Sequence, residues 1–275
     1  LFLKEFLVIL QGNLTELTLI VQKIYIILIA VMLACIGCEW HLRSDLTADS
    51  ESFVERYDRA EAFFLTTGDF SALQQMQTRY PKQTRRLIED VLQLGKVDDA
   101  HINVRFYSFF QDSTLQKLIA EVDEQYRDMN DIDKQLTDAF TRLSDLLPGT
   151  TPPVVYTQIG SLDQSIVVGD GLLGISLDKY LGADYPLYVK YGYTERQRSM
   201  MTREFIVPDC LGFYLLSLYP AADDSLRSVH IGRIQYTVNQ VLNRQVFKSE
   251  YVEQAQQKME ANKGMTLVEL LKSAK

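Results

Sequence analysis

Histidine is scarce in this chain: there are three, His41, His101 and His230, far apart in sequence. A zinc hydrolase of the common helical type needs two histidines one turn apart on one helix face. A glutamate beside the first takes a proton from the metal-bound water. The stretch best placed for such a helix, Arg196 to Tyr219, contains no histidine. A Ser-His-Asp triad would have to recruit His101 or His230, and no serine stands in a Gly-x-Ser-x-Gly elbow. Cysteine is equally sparse. Cys35, Cys38 and Cys210 are too few for a disulfide framework. Cys210 has apolar neighbours and no histidine nearby in sequence, so it reads as a lone buried thiol and not as an activated nucleophile. Basic residues are neither abundant nor clustered: 28 Lys and Arg against 36 Asp and Glu leave a net charge of -8. Without a basic stripe to displace counterions from phosphates, nucleic acid is excluded as a partner. Internal repeats and low-complexity tracts are also missing.

What the chain has is apolar residues, 47% of the total, enough for a substantial core. The first concentration is amino-terminal. Lys23 precedes an uncharged run from Ile24 to Gly37, too short to span a bilayer comfortably and suited to the apolar segment of a signal peptide. The run ends at Cys35-Ile36-Gly37-Cys38 and then turns polar with Glu39-Trp40-His41. This arrangement resembles a bacterial lipoprotein signal, cut before a cysteine that receives lipid. The resemblance assigns the lipid to Cys38, which directly precedes the polar switch, with Cys35 as the alternative. A single-pass helix over Leu17 to Gly37 is the competing expectation, interrupted by Gln22 and Lys23. Because no Met precedes Met32, the expected start is Val21, read from an alternative start codon.

After a polar tether, residues 39–50, periodicity becomes helical. Asp49 or Ser50 is the expected cap of a helix carrying Phe53, Tyr57, Ala60 and Phe64, broken at Thr66-Thr67-Gly68-Asp69. A second helix carries Phe70, Leu73, Met76 and Tyr80. Pro81 opens a third with Leu87, Val91 and Leu92, ended by Gly95. Val97 to Phe110 is ambiguous. Asp112-Ser113 caps a helix with Leu115, Leu118, Ile119 and Val122, and Asp131 precedes another with Ile132, Leu136, Phe140 and Leu143. The acids between these positions, among them Glu51, Glu55, Asp58, Glu61, Asp123, Glu124 and Asp128, read as a solvated face. Pro148 to Pro153 closes this block.

Beyond it, Val154-Val155 with Ile159, Ile166 to Val168, and Leu172 to Leu177 read as three strands joined by tight turns. Gly169-Asp170-Gly171-Leu172-Leu173-Gly174 imitates a nucleotide-binding glycine pattern. It runs into a strand, offers no helix amino end to a phosphate, and reads as a hairpin turn. Tyr180, Tyr185, Tyr188, Tyr191 and Tyr193 suit an irregular loop whose rings pack on the core, or a binding platform built around Tyr185 and Tyr188. Thr194 caps a helix expected to run through Met201 and Phe205, to be interrupted or kinked at Pro208, and to continue to Leu218. Further helices are expected over 226–247, 252–261 and 266–273.

The lipoprotein-type signal, GISLDKYLGADYPLY, RQRSMMTREFIVPDCLGFYL and VHIGRIQYTVNQVL together resemble the gliding motility lipoprotein GldB family. That family is similar to gluzincin-type metallopeptidases, whose zinc helix carries two histidines and whose next helix supplies a glutamate after a glycine. The resemblance puts Glu204, Pro208, Asp209 and Gly212 in the first helix and Gln235, after Gly232, at the glutamate position. No histidine is present and Gln235 is a poor zinc ligand, so it implies a zincin-like scaffold with no metal and no cofactor. The resulting expectation is an α+β protein, mostly helical with a small three- or four-stranded sheet. It comprises a signal peptide with lipobox (1–38), a tether (39–50), a helical region (51–151) and a zincin-like region (152–275), the last two forming one domain. The expected role is non-catalytic binding or assembly in the bacterial cell envelope, as a periplasmic or outer-membrane lipoprotein, with the membrane and an envelope protein as partners. The rival readings are a metal-dependent hydrolase using Glu204, Asp209 and His230, and a sugar- or peptide-binding lipoprotein using the tyrosines.

Overall fold

The apolar runs after Pro153 do form strands, and a fourth joins them from a place where a helix is expected. The structure, a computed structural model, describes residues 52–273. The signal segment with Val21, Cys35 and Cys38, and the tether at 39–50, lie outside these residues. From Phe53 onward the chain clusters as one unit. No described helix is long and apolar enough to cross a membrane.

Strands β1 (Val54–Glu55), β2 (Val154–Gln158), β3 (Ile166–Gly169) and β4 (Leu172–Ser176) form one sheet in the order β1-β2-β4-β3. The β1–β2 and β2–β4 pairs are parallel and β3–β4 is antiparallel. Only β3 and β4 are therefore joined by a tight turn. Its central residues, Asp170 (φ 49°) and Gly171 (φ 75°), are both left-handed, the backbone that an Asp-Gly pair adopts most readily between two twisted strands. Gly174 lets β4 pass under the Tyr156 ring, since a Cβ there would stand 2.6 Å from the phenol carbon.

The expected first helix is corrected at its start. Val54 is buried, its backbone pairs with Val155, and its N–H donates to Asp133 Oδ1 at 2.9 Å. Helix α1 begins only at Tyr57 (Tyr57–Thr67) and ends on left-handed Gly68. Asp69 then caps α2 (Phe70–Arg79), and Pro81 opens α3 (Pro81–Arg86), which runs on as a π turn, Leu87–Val91. The ambiguous stretch contains α4 (Ile102–Phe109). Asp112 caps α5 (Ser113–Gln125), and α6 (Asn130–Leu146) follows with Asp131 inside its first turn.

Beyond the sheet, α7 (Pro186–Lys190) and α8 (Glu195–Arg198) are short. The helix expected from Thr194 to Leu218, interrupted or kinked at Pro208, is not formed. Thr194 and Gln197 make a reciprocal cap on α8, the chain leaves helix so that Met201 O accepts from Gly182 N, and a 3₁₀ turn, Arg203–Phe205, leads into α9 (Ile206–Leu218). Pro208 causes no kink because it lies in the first turn of α9, where its missing N–H had no helical acceptor. Helix α9 packs on β3, β4 and α6. Then follow α10 (Arg227–Leu242), which stops at left-handed Asn243, α11 (Glu250–Ala261) and α12 (Leu267–Lys272). The described residues thus form an α+β fold, mostly helical, with a small four-stranded sheet.

The solvated face expected for the acids of the helical block is also corrected. Asp123, Glu124 and Asp128 are exposed, but Asp58 and Glu61 are buried where the parallel strands end. Arg56 donates to both oxygens of Asp58, at 2.9 and 2.7 Å, and the Thr157 hydroxyl also donates to Asp58. Glu61 accepts from Ile159 N at 2.9 Å, and buried Asp178 accepts from Gly160 N and Leu162 N at 2.7 and 2.5 Å. The loop after β2 takes left-handed backbone at Ser161 and Leu162, so its N–H groups have no strand to bond. Buried carboxylates satisfy them instead.

Candidate functional site

Helix α5 buries Leu118, Ile119 and Val122, which turns Glu121, Glu124 and Gln125 toward a surface groove of about 390 Å³. The opposite wall is Leu181, Tyr185 and Pro186. Two hydrogen-bonded anchors fix that wall. The Tyr126 hydroxyl and Gln125 Nε2 donate to Tyr180 O from the end of α5. Beneath the groove, fully buried Tyr188 donates to Asp178 O at 2.6 Å and accepts from Leu181 N at 2.9 Å. Tyr185 packs edge-on to Tyr188 with ring centroids 5.0 Å apart. The expected pair Tyr185 and Tyr188 is therefore divided: Tyr185 lines the groove and Tyr188 is core.

The groove is electronegative. Partial burial first, then a hydrogen bond to the Glu121 carboxylate and that group's charge, push the Tyr185 phenol up from its ordinary range. Glu121 Oε2 is buried, while Oε1 lies 3.6 Å from Lys117 Nζ on the outer side of the helix. Glu124 and Gln125 are exposed on the same lip. Two carboxylates and an aromatic wall suit the ammonium or guanidinium end of a side chain, with its alkyl stem along Tyr185 and Pro186.

The positions that the metallopeptidase resemblance singles out have separate surroundings. Glu204 is exposed in the 3₁₀ turn. The Thr202 hydroxyl holds its carboxyl below the ordinary range, helped by its own N–H and by Arg203 and Arg244. Pro208 is buried in the first turn of α9. Asp209 faces inward, accepts from the Tyr180 hydroxyl at 2.8 Å, and is pushed up to about 7 by burial. Gly212 has open space where a Cβ would stand, and Gln235 is half-buried on α10. His230 is buried with Nε2 2.6 Å from Tyr219 O, and His101 is exposed. Cys210 is buried, which pushes its thiol up and keeps it protonated. No group of three or more His, Cys, Asp or Glu among the described residues is placed to hold a metal ion. Gly232 is needed for close helix packing, since a Cβ there would meet the Cβ of Tyr251 at 2.3 Å.

Sequence reasoning missed the groove acids and the inward acids of α1. For the latter a signal exists: Glu61 stands four residues after Tyr57 and three before Phe64, on the apolar face. Burial pushes the Glu61 carboxyl well above its ordinary range, and Asp58 and Asp178 add to this against the single N–H of Ile159.

Residues 42–271 match the model of a family described as gliding motility protein GldB. No curated protein and no solved structure matches the chain.

Proposed function

Since the chain belongs to the gliding motility protein GldB family, lipoproteins related to gliding motility, we propose that it is held at an envelope membrane by lipid on Cys38 and acts there by binding. On this reading the groove between α5 and Tyr185 receives a cationic segment of an envelope protein, and the chain performs no catalysis. The observation that carries the reading is a groove whose two charged wall residues, Glu121 and Glu124, are both acidic and face the aromatic wall of Tyr185. A hydrogen bond from a partner's cation to an exposed carboxylate such as Glu124 contributes about 1.5–3 kcal/mol. The scaffold descends, on the same reading, from a gluzincin-type fold, with α9 and α10 standing for the zinc helix and the glutamate helix. Several lipid chains are needed for firm anchoring, each buried methylene contributing about 0.8 kcal/mol.

The test is an affinity pull-down of the intact lipidated protein from its own membranes, with metal content measured in parallel. Glu121→Gln with Glu124→Gln is expected to release the partner that the parent chain retains, without loss of membrane association. A partner retained equally by the double variant moves the interface elsewhere. Stoichiometric metal without a partner overturns the binding reading.

A further inference from the structure

A second surface groove, of about 300 Å³, lies where α10 ends and α11 passes beneath the loop that joins them. Eight residues line it, and five are carboxamides: Asn239, Gln240, Asn243, Gln245 and Gln256. The others are Tyr236, Val252 and Arg244, so the lining carries a single cation, and the Glu260 carboxylate beside it is held by Gln256. The groove does not border the acids at Glu121 and Glu124, and the inference does not depend on their role.

The wall of this groove is built, not merely folded over. Asn239, nearly buried, donates from Nδ2 to Phe247 O at 2.9 Å and accepts from Val246 N and Phe247 N at 2.9 and 3.0 Å. One carboxamide thus fixes the whole loop against α10. Left-handed Asn243 turns the chain out of the helix, and Arg244 N returns to Asn239 O at 3.2 Å. The loop is locked from below, while the side chains above it are not: those of Gln240, Asn243 and Gln245 have no hydrogen bond among the described residues. Gln256 spends its Nε2 on Glu260 at 2.8 Å and keeps its carbonyl oxygen available.

A carboxamide presents a donor pair and an acceptor side by side in one plane, and a sugar hydroxyl is likewise both donor and acceptor. A ligand bearing only charges would leave half of these groups unsatisfied. A ring of hydroxyls satisfies them in either orientation of each amide, and its apolar C–H face needs a partner, which the half-buried Tyr236 ring supplies. We propose that this groove is a saccharide-binding site, taking one or two residues of a neutral or singly acidic oligosaccharide. Arg244 stands where it would pair with a sugar carboxylate.

The experiment is calorimetric titration of the full chain in detergent with N-acetylchitotetraose, cellotetraose and the singly acidic sialyllactose, and with tetraalanine as a peptide control. At least one saccharide is expected to saturate the protein at millimolar concentration or below. Gln240→Ala with Gln245→Ala removes exposed amides without touching the core. It is expected to weaken that saccharide about tenfold, roughly the loss of a hydrogen bond or two, with an unchanged melting temperature. If no saccharide saturates, if the double variant binds as tightly as the parent chain, or if tetraalanine alone binds, the assignment is wrong.

Discussion

Replacing Asp209 with asparagine is expected to stabilise the protein in alkaline solution and leave it unchanged in acid. The carboxyl is enclosed at the start of α9, its hydrogen-bond partner is the Tyr180 hydroxyl, and burial raises it from 3.8 to about 7. Between those limits the unfolded chain releases the proton while the folded chain keeps it. Stability therefore falls as pH rises, by about 1.4 kcal/mol per unit, and levels out above pH 7. Three units make about 4 kcal/mol, a large share of the roughly 5–15 kcal/mol that holds a domain together. Asparagine does not titrate, and its Oδ1 still accepts from Tyr180. Urea unfolding of the chain beginning at Glu39, from pH 4 to pH 8, separates the cases. The two proteins should coincide near pH 4 and diverge until the variant is more stable by about 2–4 kcal/mol at pH 8. Glu61 and Asp178 are also raised by burial and give the parent chain a decline of the same sign, so the difference between the two curves isolates Asp209. Parallel curves, or a variant weaker at every pH, would mean that the ionised carboxylate is stabilised in the fold and that the burial argument fails.

Two further substitutions test the packing. Gly232→Ala drives a methyl into Tyr251, whose backbone carbon would lie 2.6 Å away, so α10 and α11 must separate; a loss of about 1–3 kcal/mol in urea unfolding is expected. Tyr188→Phe removes the acceptor for Leu181 N and the donor to Asp178 O inside the core, and should cost about 1–3 kcal/mol, whereas Tyr185→Phe, on the groove wall, should shift the urea midpoint little.

Much of this fold is legible in the sequence because its signals are local. Asp112 before Ser113, Pro81 at a helix start, Gly68 at a helix end and Asp170-Gly171 in a hairpin each settle one boundary with one or two residues. What escapes has a physical reason in each case. Two residues are too few for alternation, so β1 is absorbed into the helical period of Phe53 and Tyr57. Apolar runs carry no direction, so parallel pairing of β2 with β4 is invisible until the chain is folded. The period from Met200 through Phe205 to Leu211 continues across a real break, because Met201 from irregular backbone and Phe205 from a 3₁₀ turn both pack inward. The two grooves are harder still. Each joins residues from two elements, and Glu121 in its helix looks like any exposed acid until Tyr185 is brought against it.

The two-residue strand β1 also sets how the fold meets a load. A pull transmitted from the residues before Phe53 enters through Val54 and Glu55, at the edge of the sheet and parallel to Val155 and Tyr156. Pulled along its own axis, such a pair is sheared and not peeled, so its few hydrogen bonds share the force at once. Immediately behind it stand the Arg56–Asp58 ion pair and the Thr157 hydroxyl, all buried. Tension from the amino-terminal side is thus met by one short strand, by the Asp133 and Gln83 side chains that hold Val54 and Glu55, and by the charges behind them.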